Sequence, residues 1–199
     1  MQTASPVETS APPGGSTSGR APILTVGTVV WLASELMFFS GLFAAYFTLR
    51  ALSPGPWPPH DVELNPQVSG LFTLALVASS GTFQLAVRSI ERGDRRRFRL
   101  WVVLTLVLAA VFLANQGREY LEAHFGVSSH AYGSAFYLMT GFHGLHVLGG
   151  MLAMIVLLGR SARPRFGPAE APSVELVSYY WHFVDVVWMA LYATLFLLQ

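Results

Sequence analysis

Apolar positions in this chain gather into five long runs: Val26 to Leu49, Gln67 to Val87, Leu100 to Gly117, Ala135 to Leu158 and Leu176 to Leu198. They are 18 to 24 residues long, and at about 1.5 Å of rise per residue each can cross a hydrocarbon core of roughly 30 Å, the third only just. Of the 12 arginines and 11 acidic residues, only Glu35 and Asp185 fall inside a run. An unpaired charge in lipid is costly, so this distribution is the expected one. All 12 prolines also lie outside the runs. The pattern predicts an all-α integral membrane bundle of five transmembrane helices, each satisfying its own backbone hydrogen bonds, with no interrupted span. The competing reading, five buried core helices of a soluble protein, fits such run lengths poorly.

The connecting segments orient the bundle. With the N-terminus cytoplasmic, that side receives Arg20, the cluster Arg88, Arg92, Arg95, Arg96, Arg97 and Arg99, then Arg160, Arg163 and Arg165, leaving Arg50 and Arg118 opposite. This positive-inside bias predicts a cytoplasmic N-terminus and a C-terminus on the outer side. Residues 1–22, rich in Pro, Gly, Ser and Thr, are expected to form a disordered tail ahead of a five-helix domain spanning 23–199. The tail has neither the basic start nor the apolar stretch of a cleavable signal. Between Arg50 and Asn65, four prolines surround Trp57 in a stiff extended loop with an aromatic suited to the membrane interface. Asn65-Pro66 reads as a helix cap followed by proline at the first helical position. Glu119, Glu122 and His124 cluster where the third span ends.

Composition narrows the chemistry. The absence of cysteine excludes disulfides, iron–sulfur clusters, thiolate zinc sites, covalently attached haem and copper sites built on a cysteine pair. A formal net charge of +1 provides no basic excess to grip a polyanion, so nucleic acid is not an expected partner.

Five polar positions carry the candidate chemistry. Glu35 lies near mid-membrane, where a carboxyl is either a proton-linked group or a neutral acid bonded to a neighbouring helix. Asp185 follows His182 by three residues on one helix face, so the two can satisfy each other. His143 and His146, also three apart, lie in Gly141-Phe142-His143-Gly144-Leu145-His146. Imidazoles are good metal and haem ligands, but a di-iron bundle site needs Glu-x-x-His on two helices, and this sequence has no such pair. Gly141, Gly144, Gly149 and Gly150 argue for close helix contact there, with the histidines bonded across a packed interface. Ser34, Gly41 and Ala45 form a small-residue face on the first span, and Tyr179, Tyr180 and Trp181 are expected at an interface near the start of the fifth. The arginine cluster is either purely topogenic or a site for a phospholipid or a partner subunit.

Several segments carry a resemblance. Ser34-Glu35-Leu36-Met37-Phe38-Phe39, Glu91-Arg92-Gly93-Asp94, Tyr132-Gly133-Ser134, Gly141 to Val147 and Tyr180-Trp181-His182-Phe183-Val184-Asp185-Val186-Val187-Trp188 resemble cytochrome c oxidase subunit III in order and spacing. Full-length members have seven spans; this chain looks like the short actinobacterial form that lacks the first two. The resemblance implies an accessory chain without redox centres or metal of its own, in a proton-pumping oxidase of the plasma membrane. Haem a and copper would reside in partner subunits, with subunit I as the chief partner. It further implies that the chain supports proton uptake and stability of the catalytic subunit, with Glu35 as the proton-linked residue. Other oxidase subunits, membrane lipids and possible association with a cytochrome bc complex complete the expected surroundings. Family members hold phospholipid in a cleft formed with the two missing helices, so here Glu35, His146 and His182 are left to face lipid or another subunit, and His143 and Asp185 are grouped with them as structural or lipid-facing polar residues. The third subunit of a quinol oxidase shares the Gly-His-Gly-Leu-His-Val pattern and remains an alternative. A small proton-coupled transporter and a stand-alone metal or haem enzyme are further ones.

Overall fold

A computed structural model of the chain describes residues 23–60, 62, 64–164 and 166–198. The expected disordered tail, Arg20, Arg165 and the terminal Gln199 lie outside the described residues. Five helices are long and apolar enough to cross a membrane: α1 (Ile23–Leu52), α2 (Pro66–Glu91), α3 (Arg95–Glu122), α4 (Ala131–Arg160) and α5 (Ala171–Tyr192). A 3-10 turn (Pro168–Glu170) precedes α5, and a π-helical turn (Ala193–Leu197) follows it. Helices α1 to α4 outrun their apolar stretches because the residues at the ends continue the coil. The third shows this most, 28 residues against an apolar run of 18.

The ends of the helices are set by local chemistry. Asn65 caps α2, its side chain accepting from the amides of Gln67 and Val68, with Pro66 in the first turn. Glu91-Arg92-Gly93-Asp94 makes the turn into α3. The Gly93 amide donates to the Ile90 carbonyl and that of Asp94 to Ser89, closing a Schellman motif with Gly93 at φ 75°. Asp94 then caps α3, accepting from the Arg97 amide at 3.0 Å. Four residues thus end one span and begin the next.

Helix α5 lies at the centre, packed against α2, α4 and α1, while α3 pairs with α2 along its length and also meets α4. The α2–α5 seam is a ladder of polar contacts. Trp181 Nε1 donates to Ser79 Oγ, and Trp188 Nε1 donates to Thr73 Oγ1, each at 2.9 Å. Tyr192 donates to the Pro66 carbonyl at 2.8 Å. Interhelical hydrogen bonds of this kind are each worth about 0.6 kcal/mol in a bilayer, so packing supplies most of the cohesion. Trp181 is fully buried, not interfacial as its place in the sequence suggested. Helix α5 begins at Ala171, which carries Trp181 well into the span; Tyr179, on the other side, is exposed.

Helix α1 is the outlier. Its buried side is Phe39 and Tyr46, seven residues apart, whereas Val29, Val30, Leu36 and Met37 are exposed. The small-residue face fails as a contact: Ser34, Gly41 and Ala45 are all exposed, and a Cβ on Gly41 would meet nothing within 4 Å. Small side chains permit a close approach without compelling one. The glycines of α4 do mediate it. A Cβ on Gly150 would lie 2.6 Å from Trp181 Cε3, and one on Gly144 would press on the Gln116 amide at 3.4 Å. Trp57 packs edge-on against Tyr46 and Tyr132, with ring centroids 5.6 and 5.3 Å away, and so folds the α1–α2 loop over the bundle.

Because the Trp181 indole is locked by its bond to Ser79, Gly150→Ala is expected to destabilise the folded chain by about 1–3 kcal/mol through overpacking. Gly159→Ala, where a Cβ meets nothing within 4 Å, is expected to be neutral. Thermal denaturation in detergent of the two variants compares them directly.

Candidate functional site

The five candidate polar side chains of the spans fall into three separate groups. Glu35, midway along α1, meets His146 of α4, with Oε2 and Nε2 3.1 Å apart. The other ring nitrogen of His146, Nδ1, is 2.7 Å from the Phe142 carbonyl one turn back. A carbonyl only accepts, so Nδ1 carries a proton. Then either Nε2 also carries one and Glu35 is ionised, or Nε2 is bare and Glu35 is protonated. In both cases the pair is electrically neutral overall and one proton lies in a single hydrogen bond between the two side chains. Phe39 packs edge-on against the imidazole at 5.0 Å. The Tyr180 hydroxyl donates to the His146 carbonyl at 2.9 Å, and its ring stacks on Trp31 at 5.1 Å. The site is therefore built by α1, α4 and α5 together. It lies at the flank of the bundle, the two side chains 23% and 16% exposed. Beside it a groove of about 340 Å³ runs between the same three helices, lined by Thr28, Trp31, Gly149, Ala153, Val177 and Tyr180.

The second group joins α5 to α2. His182 and Asp185 do not bond each other, as their spacing suggested; both bond Ser80 of α2. The Ser80 hydroxyl donates to Asp185 Oδ2, and its oxygen lies 3.0 Å from His182 Nδ1. The hydroxyl supplies what each needs: a donor for the carboxylate and an acceptor for the ring N–H. Gln84 continues the group, its Oε1 3.4 Å from His182 Nε2. Asp185 is 4% exposed, and His182, half-buried, bonds toward α2.

His143 makes the third. It is fully buried, stacked on Trp188 with centroids 4.8 Å apart and edge-on to Phe112 at 6.0 Å. Among the described residues, neither of its ring nitrogens has a hydrogen-bond partner. A structural or lipid-facing role and a bond across the interface were the expectations; the ring is buried without that bond and packs as a flat aromatic between α3 and α5. His143 and His146 thus look toward different neighbours. Among the described residues, no three His, Asp or Glu side chains converge as metal ligands would.

At the opposite end from the arginine cluster, Glu119 accepts from Ser69 of α2 and from Asn115, while Glu122 pairs with Arg118 at 3.6 Å. The Ser69–Glu119 bond ties α3 to α2, the other two contacts lie within α3, and His124 stays exposed outside them. Ser80 and Gln84 had drawn no attention in the sequence, and Tyr180 only as an interfacial aromatic. Hydroxyl and amide side chains are common in helices, and their importance here comes from which helix faces them.

The family described as cytochrome c oxidase subunit III matches residues 11–199. A protein of Mycobacterium leprae named probable cytochrome c oxidase subunit 3 is 52% identical over 183 residues, covering 90% of each chain. One of the same name from Nocardia farcinica is 50% identical over 183 residues, again with 90% of each covered. The cytochrome c oxidase subunit 3 of Corynebacterium diphtheriae is 44% identical over 194 residues and 95% of each chain. With a match across nearly its whole length and relatives at about half identity, the chain belongs to the cytochrome c oxidase subunit III family.

Proposed function

We propose that this chain is the redox-inactive third subunit of a proton-pumping cytochrome c oxidase, where it supports proton uptake by the catalytic subunit and that subunit's stability during turnover. Family membership and five membrane-spanning helices support the broader statement: an accessory, multi-pass subunit within an oxidoreductase complex. The names of the relatives favour cytochrome c over quinol as the electron donor. Subunit I, carrying haem a and copper, is the principal partner in this reading, with further oxidase subunits, membrane lipid and a cytochrome bc complex around it. The arginine distribution supports a cytoplasmic N-terminus in the plasma membrane.

The observation that carries the role is the Glu35–His146 pair. It holds one exchangeable proton at the flank of the bundle, beside the largely uncovered face of α1, where a neighbouring subunit can reach it. The chain's other intramembrane acid, Asp185, belongs to the separate α2–α5 group. Among the described residues no hydrogen bond links the two groups, and in this reading the pair acts on a partner. This disfavours the small transporter.

Two substitutions separate proton exchange from packing. In Glu35→Gln the amide can still donate to a bare His146 Nε2, so the bond survives while the exchangeable proton is lost. Haem content is expected to stay normal, and the number of turnovers before inactivation to fall severalfold, with slower proton uptake in stopped-flow measurements. Loss of haem in this variant would overturn the peripheral role. Glu35→Leu removes the partner altogether and is expected to weaken retention of α1 on the bundle by about 1–3 kcal/mol, the cost of stranding a buried polar group; limited proteolysis in detergent reads this.

Since the chain has no cysteine, single cysteines report its orientation cleanly. His60→Cys in the α1–α2 loop is expected to react with an impermeant maleimide in intact cells. Glu91→Cys at the end of α2 should react only after permeabilisation. The reverse pattern would invert the orientation.

A further inference from the structure

The arginines of the α2–α3 turn do not all do the same thing. Arg99 donates from Nε to Ser161 Oγ at 2.9 Å and from Nη2 to the Ser161 carbonyl; Arg95 donates to the Pro164 carbonyl at 2.6 Å. These two tie α3 to the segment following α4. Arg97 pairs with Asp94 at 3.3 Å. Arg88 and Arg92, both exposed, have guanidiniums with no hydrogen-bond or carboxylate partner among the described residues. They stand one turn apart on one face of α2. Topology alone asks only that positive charge lie on this side of the membrane. It does not ask that these two be gathered over a cavity.

They are so gathered. A groove of about 470 Å³ opens between the end of α2 and the start of α3, with Arg88, Arg92 and Arg97 at its polar end. Leu85, Leu100 and Trp101 line its deeper part. Leu85 lies seven residues before Arg92 in α2 and so about 10 Å nearer the middle of the bilayer. Leu100 and Trp101 stand in the same relation to the capped start of α3. Asp94, the one acidic residue of the lining, is occupied by the Arg97 amide and guanidinium. Three cations over an apolar floor at the depth of the lipid head groups match one kind of molecule: an anion with an alkyl chain attached.

We propose that this groove is a binding site for an anionic phospholipid. Its phosphate is held by Arg88 and Arg92, with Arg97 beside them, and an acyl chain lies along Leu85, Leu100 and Trp101. Guanidinium–phosphate contacts are charge-assisted and frequently bidentate, which a general attraction of basic residues to the membrane surface does not require. The site is distinct from the flank groove beside Glu35, which lies between α1, α4 and α5. It depends only on the chain being in a bilayer and not on the oxidase reading.

The test uses the assembly that the tagged chain brings out of membranes in mild detergent. It is delipidated, then titrated with phosphatidylglycerol or phosphatidylcholine, and bound lipid is counted by native mass spectrometry. Wild type is expected to retain phosphatidylglycerol in preference to phosphatidylcholine. At roughly fivefold per arginine, Arg88→Gln with Arg92→Gln is expected to weaken phosphatidylglycerol binding about thirtyfold. Arg96→Gln, outside the groove lining, is expected to leave it unchanged. Should the double variant not assemble, Leu100→Asp, which leaves every arginine in place and alters an exposed side chain, is expected to abolish the same binding. Equal binding of the two lipids, or equal phosphatidylglycerol binding in wild type and whichever of these groove variants assembles, would overturn the site. Displacement of the lipid by inorganic phosphate alone would make it a simple oxyanion site. A companion polypeptide covering the groove in the wild-type assembly would likewise overturn the proposal.

Discussion

A carboxyl or imidazole placed among hydrocarbon tails has no water to turn to, and its bonding groups must be met by other parts of the protein or by a proton. The arrangement of these helices follows from that constraint. Glu35 is met by His146, Asp185 and His182 by Ser80, and the indoles of Trp181 and Trp188 by hydroxyls of α2. Each bond joins two helices at one register, so together they fix which faces meet. Apolar packing can accept several sliding registers of α5 on α2. A ladder of donors and acceptors along their seam accepts only one.

Glycine makes the ladder reachable. Gly150 leaves room for the Trp181 ring, and Gly144 for the Gln116 amide, so α4 comes close to both α5 and α3. His143 marks the exception. Buried between Trp188 and Phe112 without a hydrogen bond, it is tolerated because a neutral imidazole stacks well, and its flat ring fills a space beside the tryptophan. Thus the two histidines of one motif serve unlike purposes, one joining α1 to α4 by a hydrogen bond and one filling the core.

The five spans were readable because charge and proline are excluded from them so completely; their ends were not, because arginine and glutamate side chains reach from inside a helix to the membrane surface and let the coil run on. Asn65-Pro66 announced a helix start by its own chemistry, and the structure has it. Glu35 and His146 could each be marked as candidates, yet not as partners: they lie 111 residues apart, and no local pattern encodes the register of one helix on another. The supposed His182–Asp185 pair failed for the same reason. Intrahelical spacing allowed it, but an uncharged serine on a different span offered both groups a better bond. The small-residue face of α1 shows the converse error, where permission to pack was read as packing.

The separation of Glu35 from His146 in the chain also bears on how the bundle is made. Helix α1 leaves the ribosome ahead of α4, and the imidazole that meets its acid follows 111 residues later, roughly 6–22 seconds at a synthesis rate of ~5–20 residues per second. Through that interval the acid must wait in the bilayer without its imidazole, as a protonated, uncharged group or sheltered by the insertion machinery. Its docking onto α4 is then the moment at which the acid's bonding demand is met. A helix made ahead of its partner is thereby secured only when that partner arrives.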